Sequence, residues 1–226
     1  MEFLLLHALP LDDSMWAGQQ ELLPGATHAP TLYGLGATVE EWAAEALRLV
    51  QSDRLVVVGC SVGGSCAVEV AIAAPDRIAA LVLIGTKAGH NPDPALHASS
   101  LKQVQEKGLE EAWNLSWEPL FSKSAEAAVI ANAKAIAVRQ SREDIWRGIT
   151  AFHTRKPRDA FLARFSFPVV VVTGAEDCAP GLQTSALQAE QAPHGCLHVI
   201  PDCGHYVPLE RPEHLNAILR DVIDSV

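Results

Sequence analysis

The chain has 226 residues, of which 49% are hydrophobic and 19% charged, so it suits one domain with a sizeable core and excludes a disordered or fibrous chain. Seventeen Lys and Arg against twenty-seven Asp and Glu give a formal charge of −10, which argues against nucleic acid and anionic membrane surfaces as partners.

In chain order, residues 3–6 form an apolar run with no basic flank and no small-residue cleavage site, a strand rather than a signal peptide. Residues 55–58, 78–84 and 169–172 are further runs apolar on both faces, the pattern of parallel strands covered by helices. Residues 29–32 and 196–200 are weaker strand candidates. Residues 39–51 and 61–74 carry apolar side chains at helical spacing, with Pro75 ending the second segment. Residues 212–223 begin with Pro at a first helical position and run amphipathically. This alternation predicts an α/β fold with a mainly parallel sheet.

The rhythm stops over residues 87–157, where helices are expected at 110–121, 124–138 and 143–152. The segment reads as a helical lid over the C-terminal edge of the sheet, inserted into a core of residues 1–86 and 158–226. No stretch approaches the ~18 uninterrupted apolar residues of a membrane span. The five cysteines (Cys60, Cys66, Cys178, Cys196, Cys203) are odd in number and lack C-x-x-C spacing, as expected of reduced thiols in a cytoplasmic protein. Cys196, His198, Cys203 and His205 fit no common zinc spacing, and no metal site is expected.

The strongest chemical signal is Gly59-Cys60-Ser61-Val62-Gly63, a G-x-S-x-G between a strand and a helix. There a serine hydroxyl is presented on a tight turn at the sheet edge, and the Val62 amide at the helix start is placed to hold an oxyanion. A serine nucleophile needs a base and an orienting acid. Glu176 and Asp177 follow the strand at 169–172, and Asp177 is the better placed unless it only caps the next helix. His205 follows the strand at 196–200, whereas His198 lies within that strand and His214 within the last helix. The loop after the first strand, His7-Ala8-Leu9-Pro10, offers the Leu9 amide as a second oxyanion donor, with His7 structural.

Five blocks, His7-Ala8-Leu9-Pro10-Leu11-Asp12, Tyr33-Gly34-Leu35-Gly36, Gly59-Cys60-Ser61-Val62-Gly63-Gly64, Gly174-Ala175-Glu176-Asp177 and Gly204-His205 with Glu210-Arg211-Pro212-Glu213, span nearly the whole chain. In this the sequence resembles α/β-hydrolases of the esterase and enol-lactonase group. The resemblance implies Ser61 as nucleophile, Asp177 as orienting acid, His205 as general base and the Leu9 and Val62 amides as the oxyanion hole, with no cofactor. It implies a small ester or lactone as substrate. Carbon–carbon bond hydrolases, thioesterases, carrier-protein methyl-esterases, cofactor-free lyases and non-catalytic binders share the pattern. Two departures are visible: Ala8 replaces the usual Gly after His7, and the chain starts at what resembles the family's third strand. About six strands are therefore expected.

Trp113, Trp117 and Trp146 lie in the lid, where they pack its helices or line the pocket. Residues 87–157 carry ten Lys and Arg against eight Asp and Glu, and the rest carries seven against nineteen. Arg139, Arg142, Arg147, Arg155 and Lys156 cluster in the lid's second half. One of these five, with Arg139 and Arg147 put first, is expected to meet a substrate carboxylate or a carrier's phosphate. Oligomeric state is not legible in the sequence.

Overall fold

The computed structural model describes all 226 residues. Six strands, β1 (Glu2–Leu6), β2 (Thr27–His28), β3 (Leu55–Cys60), β4 (Ile78–Ile84), β5 (Val169–Gly174) and β6 (Gly195–Ile200), form one sheet. Its order is β2-β1-β3-β4-β5-β6, and every pair is parallel. The strands of β3 and β5 are buried at every position, which is why their sequences are unbroken apolar runs. The edge strand β6 is mostly half-exposed.

The order places the site. From β1 the chain moves outward to β2, then crosses back to β3 and continues in the other direction. The connections therefore diverge between β1 and β3, and a crevice opens beyond the C-terminal ends of those two strands. Leu6 at the end of β1 pairs with Gly59 in β3, so the loop from His7 and the turn at Ser61 leave the sheet side by side.

α1 (Val39–Leu49) and α2 (Val62–Ala73) pack together. α2 is buried all round from Val62 to Ala71, so it carries no polar face. α9 (Pro212–Ser225) is amphipathic and buries Leu215, Ile218, Leu219 and Val222. Its buried Asn216 accepts from Gln19 Nε2 (2.9 Å) and donates to Gly18 O (2.9 Å), tying the C-terminal helix to the segment after β1.

Two expected elements are corrected. The strand expected at 29–32 is only Thr27–His28, and Leu32–Gly34 is a 3-10 turn. Pro30 has no N–H for the ladder, which ends the pairing. The helix expected at 110–121 is the end of a longer one, α3 (Pro94–Ala112), which kinks at Gly108. Asp93 caps α3 by accepting from Leu96 N (2.9 Å), with Pro94 in the first turn. The chain then passes through a π turn at Trp113–Trp117 and a 3-10 turn at Glu118–Leu120, where Pro119 interrupts the α-helical ladder. α4 (Ala127–Arg139) and α5 (Arg142–Thr154) lie close to their expected bounds. A short α6 (Asp159–Leu162) leads into β5, followed by α7 (Leu182–Gln191) and a short α8 (Val207–Glu210). No helix is long and apolar enough to cross a membrane.

Candidate active site

Ser61 sits between β3 and α2 with φ +54° and ψ −120°, a strained backbone for a residue with a side chain. The turn is held by Ser61 N–H donating to Ile84 O (2.9 Å). It is also crowded: a Cβ on Gly63 would lie 2.1 Å from Leu6 O, so only glycine lets the elbow close against the end of β1. As the first residue of α2, Val62 has an N–H without an intrahelical acceptor.

Asp177 follows β5 and His205 follows β6. His205 Nδ1 lies 3.2 and 3.3 Å from the two carboxylate oxygens of Asp177, and both residues are buried. Burial works against the ionised carboxyl, but the hydrogen bond and charge of His205, with the Ala179 amide (2.8 Å), outweigh it and hold Asp177 below the usual range. An ionised Asp177 takes the Nδ1–H, which leaves His205 Nε2 as the acceptor. The pair adjoins the serine turn. Gly85, just after β4, has φ +52°, and a Cβ there would lie 2.9 Å from His205 Nδ1. His205 O is 4.0 Å from Cys60 Sγ, next to Ser61. Ser61 Oγ makes no hydrogen bond to His205, a contact that in such sites often tightens only with substrate.

The other titratable candidates lie elsewhere. Exposed Glu176 accepts from Lys123 N (2.9 Å). His198 is on β6 beside Cys196 Sγ (3.9 Å), and His214 is exposed on α9. Asp177 also forms the turn leading to α7, but that helix starts at Leu182 rather than near Ala179.

The loop after β1 is fixed from several sides. His7 is fully buried; its Nε2 accepts from Leu32 N (2.8 Å), so its proton is on Nδ1, which donates to Ala8 O (3.1 Å). Burial pushes the pKa of His7 down to about 4, so it is neutral and structural at neutral pH. Ala8 N donates to Met15 Sδ (3.1 Å), and Tyr206 Oη donates to Leu9 O (3.3 Å). Two clamps that the sequence did not disclose complete the site. Glu210 accepts from Gly204 N (3.1 Å) and Ser122 N (2.9 Å), and His205 N donates to Leu120 O (2.9 Å). The insertion and α8 thus share the loop that carries His205.

A cavity of about 290 Å³ opens at Ser61 and is lined by Gly85, Thr86, Lys87, Phe152, Arg155, Cys178, Ala179, Pro180 and Thr184. A second, of about 110 Å³, is lined chiefly by Leu9, Val104, Trp117, Ile149, Phe152 and His153. Of the aromatic and basic residues singled out in the insertion, only Trp117 and Arg155 reach these two cavities, Arg155 the first and Trp117 the second. Trp113 is fully buried, donating to Glu118 (2.9 Å) and packing on Phe121. Trp146 is half-exposed in an outer groove with Arg142. Arg139 is spent on Asp12 (2.7 Å), and Arg147 pairs with Glu143 and Asp144 on the surface. Arg139 and Arg147 therefore pair with acidic groups and do not line the cavity at Ser61, where the cations are Lys87 and Arg155.

A family model described as "Alpha/beta hydrolase family" matches residues 3–217. The chain belongs to that family. As an alpha/beta hydrolase it is 25% identical over 263 aligned residues to the pimeloyl-[acyl-carrier protein] methyl ester esterase of Aromatoleum aromaticum, covering 98% of each chain. It superposes on a malate-bound thermophilic esterase from Thermogutta terrifontis with a TM-score of 0.88 and 26% identity, over 100% of this chain and 90% of that one. The enol-lactonase of Burkholderia xenovorans LB400 shares the fold, with a TM-score of 0.86 and 20% identity over 98% and 90% of the two chains. The family and its esterase relatives support a hydrolase.

Proposed function

We propose that this alpha/beta hydrolase is a serine hydrolase that cleaves a small carboxylic ester or lactone. The observation that carries the reading is the buried Asp177–His205 pair beside a strained serine at the mouth of a small cavity. Ser61 is the nucleophile: His205 Nε2 takes the hydroxyl proton as Oγ attacks the carbonyl carbon. The Leu9 and Val62 amides hold the resulting oxyanion. The intermediate collapses to an acyl-enzyme as His205 gives its proton to the leaving alkoxide. His205 then deprotonates a water that attacks the acyl carbon and frees the acid. Asp177 orients the ring and stabilises its charged form. The insertion over residues 87–157 serves as the lid, since α3, α5 and the turn at Trp117 wall the second cavity.

Ester bonds are favoured over the other chemistries of this fold by the esterases among the relatives, one of them malate-bound. Cavities of about 290 and 110 Å³ suit a small substrate. A fluorophosphonate probe is expected to label the protein, and the protein to hydrolyse short-chain p-nitrophenyl esters. Ser61→Ala removes both. Labelling or turnover retained in that variant would sink the proposal.

A further inference from the structure

Arg155 is only 4% exposed, yet no carboxylate pairs with it. Its guanidinium lies 4.0 Å from the centre of the Phe152 ring, and Nη1 donates to Phe152 O. Nε is buried with no partner at all. The same residue lines the cavity that opens at Ser61, next to Lys87. None of the residues lining that cavity is acidic, and the nearby Asp177 carboxylate is committed to His205 and the Ala179 amide. Burial alone lowers the pKa of Arg155, to about 10, so it still carries its charge at neutral pH.

A buried, charged guanidinium with one backbone acceptor is a costly arrangement unless an anion completes it. Capping the C-terminus of α5 does not account for it, because an exposed Lys or Arg there gains the same helix-dipole term without desolvation. Nor is the site soft. Arg158 N donates to Ala88 O (2.8 Å), and Gln188 bridges Ala88 N (2.6 Å) and Thr86 O (2.7 Å), which closes the stem that carries both Lys87 and Arg155.

We propose that Arg155, assisted by Lys87, binds a carboxylate carried by the substrate, so that the protein favours small esters or lactones that carry a carboxylate, on the acyl or the leaving side, over neutral ones. This rests on the reading of Ser61 as nucleophile. The size of the cavity limits the chain between the scissile carbonyl and the carboxylate to a few carbons. The planar fork of the guanidinium matches a carboxylate's two oxygens, and the bond is charge-assisted on both sides.

The test compares mono-p-nitrophenyl glutarate with p-nitrophenyl valerate, and 4-carboxyphenyl butyrate with phenyl butyrate. Wild type is expected to favour the anionic member of at least one pair. Arg155→Gln should lower that kcat/KM ratio roughly 10–100-fold, mainly through KM, and Arg155→Lys should restore part of it. Equal losses on both members, or no loss, would overturn the proposal by making Arg155 structural. Binding gives a reading that needs no turnover. Glutarate should raise the Tm of Ser61→Ala but not of Ser61→Ala/Arg155→Gln, and should protect wild type from the fluorophosphonate where glutaramide does not. Protection by both, or by neither, or a larger Tm shift with inorganic phosphate than with glutarate, would refute the assignment. Should neither ester pair be hydrolysed, the serine-hydrolase reading fails on its own, and the binding arm still decides the role of Arg155.

Discussion

Asp177 and His205 form a pair whose value depends on charge. Asp177 is buried, and burial by itself disfavours the ionised form; it stays ionised because His205 and the Ala179 amide donate to it. Asp177→Asn keeps the shape but presents an amide to Nδ1, so the ring loses its fixed tautomer and the stabilisation of its charged form. On the serine-hydrolase reading kcat should fall by roughly 10³–10⁴-fold. Circular dichroism and Tm near wild type would show that the loss is chemical; a kcat within tenfold of wild type would contradict the role. The candidates Ser61, Asp177 and His205 were legible in sequence because each stands within a few residues of the end of a strand, near a glycine that close backbone contacts require. Arg155 was not. Ten Lys and Arg between 87 and 157 look alike in sequence, and only the packing of α5 against the stem buries this one.

At the scale of elements, the insertion is tied to the loop after β1 through Asp12. Its Oδ2 accepts from Arg139 Nη2 (2.7 Å) and Gln140 Nε2 (2.7 Å) at the end of α4, while Oδ1 accepts from Ser14 N (3.0 Å). Burial raises the pKa of Asp12, but these hydrogen bonds outweigh it and lower it overall. A depressed carboxyl stabilises the fold above its unfolded pKa, and that contribution is lost as pH falls through the folded value. Asp12→Asn should therefore cost about 1–2 kcal/mol at neutral pH, shrinking below pH ~4. Arg139→Ala should cost under ~1 kcal/mol, because that side chain is more than half exposed. Urea unfolding of the two variants at neutral and acid pH checks both; a larger effect from Arg139→Ala would reverse the assignment. The same scale shows where sequence patterns failed. The expected strand at 29–32 and helix at 110–121 were both apolar enough, but Pro30 and Pro119 broke the hydrogen-bond ladders.

For the whole molecule, the −10 charge is uneven, with residues 87–157 at +2 and the remainder at −12. Acid stability follows from buried groups rather than from that sum. Burial lowers His7 to about 4 in the fold, whereas its unfolded value is ~6.5. Between these values the unfolded chain binds a proton that the folded one refuses, so stability falls on acidification across that window. The slope from His7 alone approaches ~1.4 kcal/mol per pH unit. Below pH ~4 the depressed carboxyls of Asp177 and Asp12 extend the loss. Thermal unfolding should show Tm level above pH ~6.5 and falling below it, and His7→Gln, which still offers Leu32 N an acceptor, should flatten the fall. An unchanged slope would exclude His7 as its source.

The sequence by itself determined the strand–helix alternation, the parallel sheet and the offsets of Ser61, Asp177 and His205, because apolar periodicity and turn chemistry act over a few residues. Only the tertiary structure decided which cations face the cavity at Ser61, which tryptophan lines the second cavity and which carboxylates clamp the loops around Leu9 and His205. Those contacts join residues far apart in the chain, such as Asp12 with Arg139 and Ser122 with Glu210. Burial and pairing are properties of where elements pack, and side-chain type alone does not encode them.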